Sequence, residues 1–179
     1  MNIVLTTNSP GEVAAWLLPT LRALRREAPQ ARISVFIPPC MFASGSECSV
    51  VSAMPEVDDV YGPREFIRLV MRGRLPVGFK VQATGAVCFL GGDLLHAVLL
   101  SRRLGLPAVA YTEGRASWSS TYHRFFVSDE AARSRALAYG AHADQVEVIG
   151  DLMLDAVQPH SDSVRKAKGL FGVPWNKTV

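Results

Sequence analysis

Short apolar runs alternate with longer stretches of helical period along this chain, and that alternation restricts the fold more than any other feature. The runs cover residues 2–7, 32–37, 58–61, 86–90, 107–111, 123–127 and 145–149. Between them lie helical stretches at 11–27, 63–72, 94–104 and 129–139, with helical pattern resuming after Asp151 and again over 163–171. In the first stretch Val13, Trp16, Leu17, Leu21 and Leu24 recur at three- and four-residue steps, as one buried helix face requires. Runs as continuously apolar as Ala86-Val87-Cys88-Phe89-Leu90 suit strands buried on both faces. Strand–helix alternation with short loops therefore predicts an α/β fold: a doubly wound, mostly parallel, Rossmann-like sheet.

At 179 residues the chain is long enough for one sizeable α/β domain. Gly172-Val173-Pro174 followed by a strand-like start predicts a domain over 1–172, with 173–179 opening the link to a further C-terminal domain. A formal net charge of +3, with no nucleic-acid signature beside it, argues against nucleic acid as a partner. The three cysteines, Cys40, Cys48 and Cys88, lack the paired short spacings of a zinc site, so no metal is expected. The start Met1-Asn2-Ile3-Val4-Leu5 has no basic n-region, and no apolar run reaches bilayer-spanning length. The expectation is a cytoplasmic protein.

In open α/β sheets ligands bind beyond the carboxyl ends of the strands, so candidate residues belong to the strand-to-helix turns. In the first turn, Ser9 and Glu12 have capping-box spacing and Pro10 takes the first helical position. Gly11 there would let a ligand approach backbone amides at a helix start. The spacing is not GxGxxG, which argues against NAD. In the second turn, Gly91 and Gly92 precede Asp93, which either caps the next helix or, in a pocket left open by the glycines, acts as a general base. His96, one helical turn on, would orient Asp93 or simply sit on the helix surface. The third turn holds Thr112, Glu113 and Arg115, able to grip a polar ligand or to solvate a loop. In the fourth, Gly150 permits close approach and Asp151 caps the next helix.

A different pattern runs from Arg64 to Lys80. Arg64, Arg68, Arg72 and Arg74 interleave with Phe66, Ile67, Leu69, Val70, Met71 and Leu75. Such a segment either rests on an anionic membrane face or is an ordinary surface helix with a solvated side.

Taken in order, these turns resemble those of the lipid-A-disaccharide synthase family, along nearly the whole chain. Gly11 and Glu12 match the family's AGExSGD motif, with Trp16 where the family has aspartate. Pro39-Cys40-Met41 through Gly45 and Glu47 is similar to its GGPxM…GxE stretch. Phe89-Leu90-Gly91-Gly92-Asp93 and the following Arg102-Arg103-Leu104-Gly105-Leu106-Pro107 resemble IDxPDFN and RRLK…GIP, with Leu95 in place of the asparagine. Tyr111 aligns with the tyrosine of YVSPSxWAW, and residues 149–155 resemble VGHPLxD, with Asp151 replacing the histidine.

The resemblance implies the N-terminal, acceptor-side half of a two-domain GT-B glycosyltransferase, inactive without its other half. It implies a UDP-sugar donor, no cofactor, a lipid-linked acceptor at the inner membrane face, and Asp93 as catalytic base. A UDP-N-acetylglucosamine 2-epimerase-like enzyme shares the architecture and a similar Gly-x-x-x-x-Asp stretch near Gly150. A non-catalytic α/β binding module is the third reading, favoured by the changes at Trp16, Leu95 and Asp151.

Overall fold

The computed structural model describes residues 1–41 and 43–156. The expected helix at 163–171 and the domain boundary at 172–173 lie outside the described residues.

Seven strands form one sheet: β1 (Asn2–Thr6), β2 (Arg32–Phe36), β3 (Asp59–Tyr61), β4 (Gly85–Phe89), β5 (Ala108–Thr112), β6 (Tyr122–Val127) and β7 (Val146–Val148). Their order is β3-β2-β1-β4-β5-β6-β7, and every neighbouring pair is parallel. Among the described residues the sheet is thus wholly rather than mostly parallel, because each connection is a crossover that returns the chain to the same end of the strands. Strand limits shift by a residue from the sequence expectation where chemistry dictates. Pro107, for example, has no N–H to donate, so β5 begins at Ala108 while the Pro107 carbonyl still accepts Val87 N–H at 2.8 Å.

Alternation along the strands divides the core between two faces. On one, Val4, Val87, Phe89 and Phe125 pack against α4 (Pro63–Arg72), α5 (Leu94–Leu104) and α6 (Glu130–Ala138). On the other, Leu5, Ile33 and Val35 meet a helical rod over residues 10–27, together with α3 (Glu47–Ser52) and α7 (Leu152–Ala156). The rod comprises α1 (Pro10–Glu12), a π-helical segment (Val13–Leu17) and α2 (Leu18–Glu27). Sequence periodicity misses α3, which is organised by one polar residue. The Glu47 carboxylate, only 4% exposed, accepts Ser44 N–H at 2.6 Å and Gly45 N–H at 3.0 Å. Burial pushes its pKa up, but these backbone donors overcome that and hold it below its ordinary value. Among the described residues no helix is long and apolar enough to cross a membrane.

Tyr122 shows how the far half of the sheet is tied to its helices. The ring is 2% exposed, lies 4.9 Å from Phe125 between ring centres, and its hydroxyl donates to the Leu94 carbonyl at 2.7 Å. Burial raises the pKa of this phenol, so it stays a neutral donor. Tyr122→Phe should cost about 1 kcal/mol, the net worth of one hydrogen bond. Tyr122→Ala should cost about 3–5 kcal/mol through lost packing. Urea denaturation measures both; equal losses would show that the bond, not the ring, carries the contact.

Candidate functional site

The chain leaves β1 toward β2 on one side and, after β3, crosses back to β4 on the other. Strand order therefore reverses between β1 and β4, and the turns that follow them diverge to opposite faces of the sheet, opening a crevice between them. Thr6 lies level with both Phe36 and Phe89, so the two turns begin at the same height.

One carboxylate bridges them. Glu12 Oε2 accepts Asn8 N–H at 3.3 Å within the first turn, and Oε1 accepts Gly92 N–H at 3.0 Å from the second. The glycines of the second turn make room for this. A Cβ on Gly91 would stand 2.1 Å from Glu12 Oε2, and one on Gly92, whose φ is +89°, would stand 2.4 Å from Asn8 Nδ2. The space directly at the Gly91 and Gly92 Cβ positions is thus taken by Glu12 and Asn8. The capping box is also half-formed. Ser9 Oγ accepts Glu12 N–H at 3.5 Å, but the Glu12 side chain turns to Asn8 and Gly92 instead of Ser9.

Beside this clamp lies a cleft of about 350 Å³. Glu12 and Trp16 form one wall, Phe89, Gly92 and Leu94 the floor, and Thr112 to Arg115 the opposite wall, with Arg135 and Tyr139 of the α6 region behind. The third turn is locked by Thr112, whose hydroxyl accepts Gly114 N–H at 2.9 Å and donates to the Arg115 carbonyl at 2.9 Å. Gly114 has φ +103°, and a Cβ there would meet the Ala132 carbonyl at 2.7 Å, so only glycine lets this turn press against α6. Arg135 completes the seam by donating twice to the Glu113 carbonyl, at 3.1 and 2.9 Å. Both side chains at the lip, Glu113 and Arg115, are exposed and line the cleft. Neither makes a hydrogen bond or ion pair among the described residues.

The structure brings together Glu12, Gly92, Thr112, Glu113 and Arg115, and leaves other candidates outside the cleft lining. Asp93 is exposed and caps α5 by accepting Leu95 N–H at 2.8 Å, yet its neighbours Gly92 and Leu94 both line the cleft. His96 does not bond to Asp93. It meets Phe66 edge-on with ring centres 5.1 Å apart, and burial pushes its pKa down despite the Asp93 charge. Gly11 is exposed with open space at its Cβ position. Asp151 caps α7 through Met153 N–H at 2.9 Å, and the Gly150 carbonyl accepts the Tyr111 hydroxyl at 3.2 Å. Sequence reasoning missed Arg135 and Tyr139 as cleft residues. The one available signal was Gly114, whose packing against a later helix brings those residues in. Arg64, Arg68, Arg72 and Arg74 are all exposed, beside the exposed side chains Ile67, Met71 and Leu75.

No protein-family model matches the chain, and no curated protein is similar to it in sequence. Solved structures are similar in fold. UDP-GlcNAc 2-epimerase from Methanocaldococcus jannaschii superposes with a TM-score of 0.57 at 14% identity, over 96% of this chain and 52% of that one. Anabaena Alr3699/HepE, solved in complex with UDP and glucose, gives 0.59 at 14% identity, over 96% and 50%. UDP-N-acetylglucosamine 2-epimerase from Rickettsia bellii gives 0.58 at 9% identity, over 97% and 52%. At such identities the likeness is one of fold: a Rossmann-like α/β domain of the GT-B type. The chain spans about half the length of these proteins.

The Glu12 clamp predicts a specific non-additivity. Gly91→Ala should cost about 1–3 kcal/mol by overpacking against the Glu12 carboxylate. In a Glu12→Ala background it should cost much less, giving a coupling of about 0.5–3 kcal/mol in a double-mutant cycle. Strict additivity in urea titrations would contradict the contact.

Proposed function

We propose that this chain is the acceptor-side half of a sugar-nucleotide-dependent glycosyltransferase that moves a sugar from a UDP-sugar to a lipid-linked acceptor. The observation that carries the reading is the cleft itself. It sits at the strand-order reversal of a GT-B-type domain, where such folds take their ligands, and its lip presents the Glu113 carboxylate and the Arg115 guanidinium, both without a partner among the described residues. Arg115 suits an anionic group, since its planar fork matches phosphate and carboxylate oxygens. The three superposed proteins, two UDP-GlcNAc 2-epimerases and one solved with UDP and glucose, make a UDP-sugar the first donor to test.

In this reading the acceptor hydroxyl attacks the anomeric carbon, the bond from that carbon to the UDP oxygen breaks, and UDP leaves with the electron pair. The hydroxyl proton passes to a carboxylate acting as general base. Asp93 is assigned that role. Its Oδ1 accepts Leu95 N–H, and its chain neighbours Gly92 and Leu94 both line the cleft. Ser9, Gly11, Gly150 and Asp151 then set the turns around the cleft rather than touch the sugar.

Peripheral membrane contact belongs to the same reading. Arg64, Arg68 and Arg72 recur every fourth residue on α4, and Ile67 and Met71 beside them are 47% and 73% exposed. Arg74 and the wholly exposed Val77 continue the ridge. A basic face with protruding apolar side chains fits an anionic lipid surface, from which a lipid-linked acceptor would be drawn.

The test is turnover of labelled UDP-N-acetylglucosamine by the full-length protein, with and without a membrane lipid extract. Label moving into lipid, with Asp93→Asn lowering kcat by about 10²–10⁴-fold, is the expected result. Conversion to the 2-epimer without lipid would replace this reading with an epimerase. No turnover in either condition would leave a binding module.

A further inference from the structure

Trp16 stands where the sequence pattern puts a core residue, yet it lines the cleft. The reason is local. Pro19 has no N–H and its ring collides with the carbonyl four residues back, so a regular α-helix cannot run through Ala15. The helix widens instead. Leu18 N–H bonds to the Val13 carbonyl, an i→i+5 step, and the Trp16 carbonyl is taken by the Thr20 hydroxyl at 2.7 Å. One extra residue in a turn rotates the flanking side chains by about 100° relative to each other. Val13 and Leu17 stay in the core, while Trp16 comes to the boundary between core and cleft.

The indole is held there. Tyr111 meets it edge-on with ring centres 5.6 Å apart, and Tyr111 is itself fixed by its bond to the Gly150 carbonyl and by Leu152 N–H at 3.3 Å. Across the cleft Tyr139 offers a second aromatic side chain, 57% exposed. Neither the Trp16 indole N–H nor the Tyr139 hydroxyl has a partner among the described residues. With Glu113 and Arg115, the cleft therefore presents donors and an acceptor around an aromatic wall. Insertions of this π-helical kind are frequent at functional sites.

We infer that Trp16 is a stacking platform for a hexose ring, a binding residue that selects for sugar in this cleft. A pyranose has one face of ring C–H groups and a rim of hydroxyls. An aromatic wall ringed by hydrogen-bonding groups matches that shape better than it matches a phosphate or an extended peptide. The cleft volume of about 350 Å³ lies at the small end of ligand pockets, about 300–1,000 Å³, and suits a single sugar. The inference rests on the glycosyltransferase reading and assigns the aromatic residue that holds the sugar within it.

Calorimetry and intrinsic fluorescence on the chain, titrated with methyl N-acetyl-β-glucosaminide and separately with UMP, test the platform. The glycoside should produce a saturable change in tryptophan emission that survives Trp118→Phe and disappears in Trp16→Phe. Its calorimetric affinity should fall about tenfold in Trp16→Leu, which keeps apolar packing on Tyr111 but removes the aromatic face, and less in Trp16→Phe. An unchanged affinity in Trp16→Leu would overturn the inference, as would an emission response to UMP alone. If Trp16→Leu binds the glycoside normally while the full-length protein turns over UDP-sugar, only the platform fails. If the protein neither binds glycoside nor consumes UDP-sugar, the reading beneath it fails too.

Discussion

The Glu12 carboxylate is the contact on which the rest of this site depends. It joins two turns that leave neighbouring parallel strands and diverge to opposite faces of the sheet, accepting one backbone N–H from each. Without that bridge two backbone donors would lose their partner, and each such group left buried costs about 1–3 kcal/mol. Gly91 and Gly92 serve the same contact by leaving the space that Glu12 and Asn8 occupy. Gly91 and Gly92 form the socket of an internal clamp, and Gly92 lines the cleft as well.

Much of the architecture was legible from periodicity and caps. Apolar runs located every strand of the described sheet, and Ser9, Asp93 and Asp151 each accept a backbone N–H at the helix start they mark. Those signals are local, and local chemistry decides them. The site was less legible because its contacts are not local: Glu12 and Gly92 are 80 residues apart in sequence, and Arg135 reaches Glu113 across 22. Helical period placed Trp16 on the buried face, where it does pack against the core, but not at the cleft it also lines, because the wider turn before Pro19 is not encoded in the pattern. The short helix α3 was hidden for a related reason, since a buried glutamate rather than an apolar stripe organises it.

Fold alone does not decide the reaction, since one architecture serves many chemistries. What separates this cleft from a generic crevice is its composition. Trp16 and Tyr139 share the lining with the Glu113 carboxylate and the Arg115 guanidinium, neither of which is paired among the described residues. The proposed function divides the labour between two features: the cleft as the place where a sugar would be recognised, and the basic ridge of α4 as the face that would meet a lipid surface.

Amide NMR of the chain, titrated with methyl N-acetyl-β-glucosaminide, tests most directly whether the cleft at the strand-order reversal is a sugar site. The account predicts that shift changes concentrate on the amides of Gly92, Gly114 and Arg115 and on the Trp16 indole. Changes confined to the ridge from Arg64 to Val77, or no changes at all, would contradict it.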